Sequence, residues 1–121
     1  TMIDMAKKDI LPAIERYVAD LVTTVTRKQK LAAGVSAGYE TTIIKKLSSL
    51  SDLIYNRAEE LESAAGELKS IQETEQQAYC IRDLILPKMA ALRVAADEAE
   101  TVTDSRYWPY PGYGDLLFGV R

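Results

Sequence analysis

A long run of apolar residues at bundle spacing limits this chain more than any other feature. Ile43, Leu47, Leu50, Ile54, Ala58, Leu61, Ala65 and Leu68 step by 4, 3, 4, 4, 3, 4 and 3. Such steps keep one side of an α-helix apolar turn after turn, close to the seven-residue repeat of a bundle seam. A strand, whose side chains alternate with a period of two, cannot carry this pattern. Ile44 and Leu53 widen the stripe, which suits a helix with neighbours on two sides. Gly66 weakens the last turns by roughly 1 kcal/mol relative to alanine. The pattern predicts a helix over 38–69, and the rest of the chain must supply its neighbours.

Two further segments qualify. Ile3, Ile10, Ile14, Tyr17, Leu21 and Val25 recur mostly at three- and four-residue steps, which predicts a helix over 2–31. It opens without a clear cap, as a piece cut from something longer would. Ala32 to Gly38, carrying Gly34 and Gly38, is a break. After a second break near 70–73, Ala78, Ile81, Ile85, Met89, Leu92, Ala96 and Ala99 step by 3, 4, 4, 3, 4 and 3, which predicts a helix over 74–102. The first segment carries six basic and four acidic residues, the second four and six, and the third, with Glu73, three and six. A basic helix against two acidic ones favours antiparallel packing, weakly, because surface pairs contribute little. At 121 residues the chain is one domain with one core. The expected fold is all-α, an antiparallel bundle of three long helices.

Pro12 and Pro87 fall inside two of these helices. Each lacks an N–H and presses on the carbonyl four residues back, costing about 3 kcal/mol in a helix interior. Each buried Leu or Ile of a seam returns roughly 1.5–3 kcal/mol, so the helices should continue through both prolines with a kink. For Pro12 the other reading is that Asp9 caps a helix starting there.

The stretch from Arg106 to Phe118, RYWPYPGYGDLLF, is different in kind. It holds five of the nine aromatics, two of the four prolines and two of the six glycines. Pro109 and Pro111 exclude helix and bias their predecessors toward extended backbone. An irregular aromatic strap over 103–121 follows, lying on the helical body. The gain from burying its aromatics nearly cancels the cost of ordering its backbone, so complete burial needs surface beyond this chain. Tyr107, Trp108, Pro109, Tyr110, Pro111, Tyr113, Leu116, Leu117 and Phe118 are the candidate packing and interface residues.

Several function classes drop out on composition. With no histidine, the chain cannot build Ser-His-Asp or Cys-His nucleophiles or His-ligated zinc, and it lacks the commonest general base. Cys80 is alone, which rules out an internal disulfide and fits a reducing, cytoplasmic setting. A net charge of −3 argues against a nucleic-acid partner, and no apolar run is long enough to span a membrane. Glu59, Glu60, Glu62 and Glu67 point several ways from one helix and read as a solvated face, not a metal cluster. Lys7, Lys8, Lys45 and Lys46 read as solvated doublets. Cys80, beside the seam residue Ile81, reads as a half-buried, inert thiol with no evident basic neighbour. Tyr107, Trp108, Tyr110 and Tyr113 could stack on a base or sugar, but without clustered Lys or Arg they read as packing residues. No catalytic, cofactor-binding or metal-ligating residue is assigned.

Two stretches resemble a known family. MIDMAKKDILPA (2–13) and YWPYPGYGDLLF (107–118) resemble the C-terminal region of type III glutamine synthetases. RDLILPKMAALR (82–93), followed by AADE (95–98), is similar to the same region. The resemblance covers essentially all 121 residues and implies a C-terminal helical domain, structural in role, of a longer enzyme. That parent would condense glutamate and ammonia to glutamine with ATP and Mg2+ or Mn2+. The catalytic residues would lie in an upstream core, and the fragment alone would be inactive and hold no cofactor. Its implied partners are the catalytic core of the same chain and neighbouring subunits of a homo-oligomer, a dodecamer. The alternative, from the residues alone, is a free-standing helical adaptor that binds a partner protein.

Overall fold

The computed structural model describes residues 1–110; Pro111, Tyr113, Leu116, Leu117 and Phe118 lie outside the described residues. Among the described residues the chain is all-helical, with three helices and no strand. The first helix is assembled from Met2–Asp4, Met5–Ile10 and Leu11–Leu31 without a break, the second is Gly38–Ser70, and the third joins Thr74–Cys80, Ile81–Ile85 and Leu86–Val102. The uncapped start read from the sequence is corrected: Thr1 caps the first helix, its Oγ1 accepting the Asp4 N–H at 3.2 Å. Gly34, at φ +89°, turns the chain between the first two helices in a conformation that suits glycine.

Both prolines are crossed by the same device. Met5–Ile10 and Ile81–Ile85 are π-turns, each followed by a leucine and then the proline. The Leu11 N–H bonds to the Ala6 carbonyl and the Leu86 N–H to the Ile81 carbonyl, five residues back instead of four. The junction residues Leu11 (φ −61°, ψ −46°) and Leu86 (φ −61°, ψ −42°) stay helical. The widened turn sits where the proline ring would otherwise press on the preceding carbonyls. The helices therefore run continuously through Pro12 and Pro87, and Asp9 lies within a helix and caps none.

The second helix packs against both of the others. Leu47, Leu50, Ile54, Ala58 and Leu61 are buried along it, as the seam predicts, and join one cluster with Ala6, Ile10 and Ile14 of the first helix and Leu92, Ala95 and Ala99 of the third. Ile14, Leu47, Ile54 and Leu92 are the largest side chains with essentially no exposure, each stabilising by roughly 1.5–3 kcal/mol. At the far end Ala64 is buried and Ala65 only half-buried, because the edge of the seam falls between these two adjacent alanines.

The third helix departs from its predicted seam at its start. Ala78 and Ile81 are exposed, while Gln77 is half-buried and Cys80 is buried at 6% exposure. The π-turn explains the shift. It inserts one residue between Cys80 and Ile85, so a phase carried back from Met89 and Leu92 arrives one position late. Cys80 is thus a buried thiol, not a half-buried one. Lys7 corrects a second expectation. It is about a quarter exposed and bonded to Glu59 and, at 2.7 Å, to Glu62 of the second helix. At the other end Lys28 meets Glu40 at 2.7 Å.

Two substitutions check this packing. A Cβ built on Gly66 meets nothing within 4 Å, so Gly66→Ala should raise stability by about 0.5–1 kcal/mol in urea unfolding. Trp108 is 8% exposed within the core cluster, so Trp108→Ala should cost about 3–5 kcal/mol in the same measurement.

Candidate functional site: the aromatic segment after the third helix

The third helix stops at Thr103, whose extended backbone (φ −86°, ψ 137°) turns the chain away. Its buried hydroxyl donates to the Ala99 carbonyl at 2.8 Å, so the helix end is closed without an orphan hydroxyl. Asp104 then builds the turn: its carboxylate accepts the Arg106 N–H at 2.9 Å and its carbonyl accepts the Tyr107 N–H at 2.9 Å. An Asp that bonds a backbone N–H two residues on is a turn former by nature. The Arg106 guanidinium pairs with the same carboxylate at 2.7 Å and holds it below the usual Asp range.

From this turn the described aromatics return to the first helix. The Tyr107 ring lies 5.0 Å from that of Tyr17, centroid to centroid, tilted by 41°, and its hydroxyl donates to Asp20. Trp108 is buried in the core of this chain. Pro109 is exposed. Tyr110 is half-buried against the core, with its hydroxyl donating to Asp9 Oδ2 at 2.5 Å. The bond to Asp20 raises the Tyr107 phenol above its usual range. Burial, followed by the bond to Asp9, pushes Tyr110 up to about 12. The structure thus brings Tyr107, Trp108 and Tyr110 onto one side of the first helix. Tyr17, a residue of the first helix's apolar face in the sequence, Asp9, weighed there only as a helix cap, and Asp20 are what receives them. Asp9 and Asp20 are eleven residues apart, close to three helical turns, so both lie on one side of the first helix.

Trp108 and Tyr110 form one wall of a groove of about 410 Å3. Met2, Met5, Ala6 and Ile10 of the first helix and Leu92 and Ala96 of the third supply the apolar remainder, with Arg93, Asp97 and Glu100 at its polar edge. Among its described lining residues there is no nucleophile–base pair. Several of the other candidates are paired. Glu59 and Glu62 are occupied by Lys7, which is raised in pKa by those two bonds, and Glu60 pairs with Arg57 at 2.7 Å. Glu40 is buried, with its Oε1 bonded to Lys28, and that bond lowers its pKa; its Oε2 is buried without a hydrogen-bond partner. Among the described residues no three of His, Cys, Asp and Glu come together to hold a metal ion. Among the same residues no helix is long and apolar enough to cross a membrane.

The tyrosine bonds give a pH signature. Tyr110 holds its proton more tightly folded than unfolded. Its contribution is therefore fully present below the unfolded value near 10 and is lost as pH rises from about 10 through about 12. Tyr110→Phe should abolish that part of the alkaline loss, read as the difference between the two proteins' urea midpoints at pH 8 and at pH 11.5.

No family model matches the chain, and no solved structure matches it. Over all 121 of its residues it is similar, at 29% identity, to a glutamine synthetase of Butyrivibrio fibrisolvens. The chain spans 17% of that protein's length. What it resembles is therefore a piece of a glutamine synthetase.

Proposed function

We propose that this chain is the C-terminal helical domain of a type III glutamine synthetase, contributing structure and assembly while the chemistry takes place elsewhere in a longer polypeptide. The observation that carries this reading is the similarity along the whole chain to a 17% piece of a glutamine synthetase. The parent reaction would be the ATP-dependent condensation of glutamate and ammonia in the cytoplasm, with ATP and Mg2+ or Mn2+ held by the upstream core. The lack of histidine agrees with that division.

In this reading the three helices form an antiparallel bundle, bent where π-turns precede Pro12 and Pro87. The ion pairs support the direction of the first two. Lys7, early in the first helix, meets Glu59 and Glu62 late in the second, and Lys28, late in the first, meets Glu40 at the start of the second. Beyond the described Tyr107, Trp108 and Tyr110, the strap would offer Pro109, Pro111, Tyr113, Leu116, Leu117 and Phe118 to the catalytic core or to a neighbouring subunit of a dodecamer.

The test is made in the longer protein. Replacing Leu117 and Phe118 together by alanine should lower the assembled fraction, by light scattering, and the rate of glutamine formation with it. Unchanged size and rate would remove the strap from the interface. Glutamine formation by the 121-residue chain alone would overturn the assignment.

A further inference from the structure

The groove beside Trp108 and Tyr110 is buried at its floor and open at its rim. Ala6, Ile10 and Leu92 belong to the core, whereas Met5 is 42% exposed and Met2 and Ala96 are half-buried. Met5, Ala6 and Ile10 all lie on the first π-turn, and such turns are frequent at functional sites. An apolar void of about 150 Å3 holds a benzene ring, so a groove of about 410 Å3 has room for two large apolar side chains.

The chain itself leads into this space. Tyr107 is bonded at Asp20 and Tyr110 at Asp9, so the segment after the third helix travels toward the start of the first. Met5 and Met2 come further along in the same direction. Tyr110 already lines the groove, and PGYGDLLF (111–118) follows it in the sequence. Phe118 is eight positions beyond Tyr110, a reach of up to about 26–29 Å. The helix from Met2 to Ile10 spans only about 12 Å. The tether is long enough, with slack for turning at Gly112 and Gly114.

We infer that this groove is the seat of the chain's own Leu116 and Phe118. In an extended stretch successive side chains point to opposite sides, so these two enter together and Leu117 faces away. The methionines of the receiving wall suit the task, because their side chains adapt to the shape that arrives. Attachment favours this occupant over a free one, since a short flexible tether holds its end at an effective concentration on the order of millimolar. The seating involves this chain alone and goes beyond the synthetase reading. To that reading it adds a limit: the strap's outward contact narrows to Pro109, Pro111, Tyr113 and Leu117, with Leu117 presented at a fixed place.

A cysteine pair in the longer protein tests the seating. Met5→Cys with Phe118→Cys, oxidised, digested and read by mass spectrometry, should form a disulfide within one chain in most molecules. Val94→Cys with Phe118→Cys is the control, because Val94 is 67% exposed on the third helix and is not part of the groove lining. Disulfides need closely placed Cα atoms, so the control should link at least about tenfold less. A Met5 pair linked no better than the Val94 pair overturns the proposal. A disulfide that joins two chains overturns it too, since the occupant would then be a second copy's tail. Methionine oxidation gives a readout without added cysteines. Dilute peroxide should oxidise Met5 at least about threefold faster once Leu116→Ser and Phe118→Ser are combined, with the rate at Met89, outside the groove, unchanged. Equal Met5 rates, or a rise shared by Met89, count against the seating. The two readings fail separately. A glutamine-forming protein without the Met5 link loses the seating and keeps the parentage, and a linked protein that makes no glutamine does the reverse.

Discussion

The buried stripe of the second helix is what the rest of this molecule depends on. It packs against both neighbours, and Leu47, Ile54 and Ala58, all at 0% exposure, stand in its middle. The first and third helices each bring alanines to the contact: Ala6 and Ala13 on one, Ala95 and Ala99 on the other. Small residues on the flanking helices let their backbones come close to the larger side chains of the central one. Polar contacts fix the alignment. Lys7 and Lys28 hold acidic residues near opposite ends of the second helix, so a slip of one turn would separate both pairs at once.

The segment after the third helix adds a second tie, and its two described tyrosines bond to the first helix. Asp20 and Tyr17 receive Tyr107, and Asp9 receives Tyr110. Trp108, between them, enters the shared core. One end of the chain is thereby pinned back to the other, across 87 residues for Tyr107 and 101 for Tyr110. The aromatic content that marks this stretch in the sequence is spent, in its described part, on closing the domain's own core.

How much of this could be read from the sequence depends on how local each cause is. The seam from Leu47 to Leu61 was legible because the spacing of the side chains is itself the physics of the helix. The continuity through Pro12 and Pro87 was legible because apolar periodicity persists on both sides of each. The π-turns were not, since nothing in a string of residues shows which N–H will reach one carbonyl further. Without that residue of phase the spacing puts Ile81 inside and Cys80 at the edge, when the reverse holds. In the candidate site, Tyr107, Trp108 and Tyr110 stood out by clustering alone. Their acceptors did not, because Asp9 and Asp20 resemble any acids on a wet helix face until a distant phenol is known to arrive. The same holds for Lys7: a lysine doublet says nothing of the two glutamates 52 and 55 residues away.

The paired π-turns also bear on how chains of this kind are compared with one another. Each turn lodges one additional residue in a helix whose ends stay put, so its sequence length and its physical length part company there. A relation whose helix lacks the proline has no need of that additional residue and would be shorter by one just upstream. A lone gap before Pro12 or Pro87 in an alignment would then record a change of winding, with the rod itself intact. Side chains should be matched separately on the two sides of such a gap, because the faces they occupy are out of step across it.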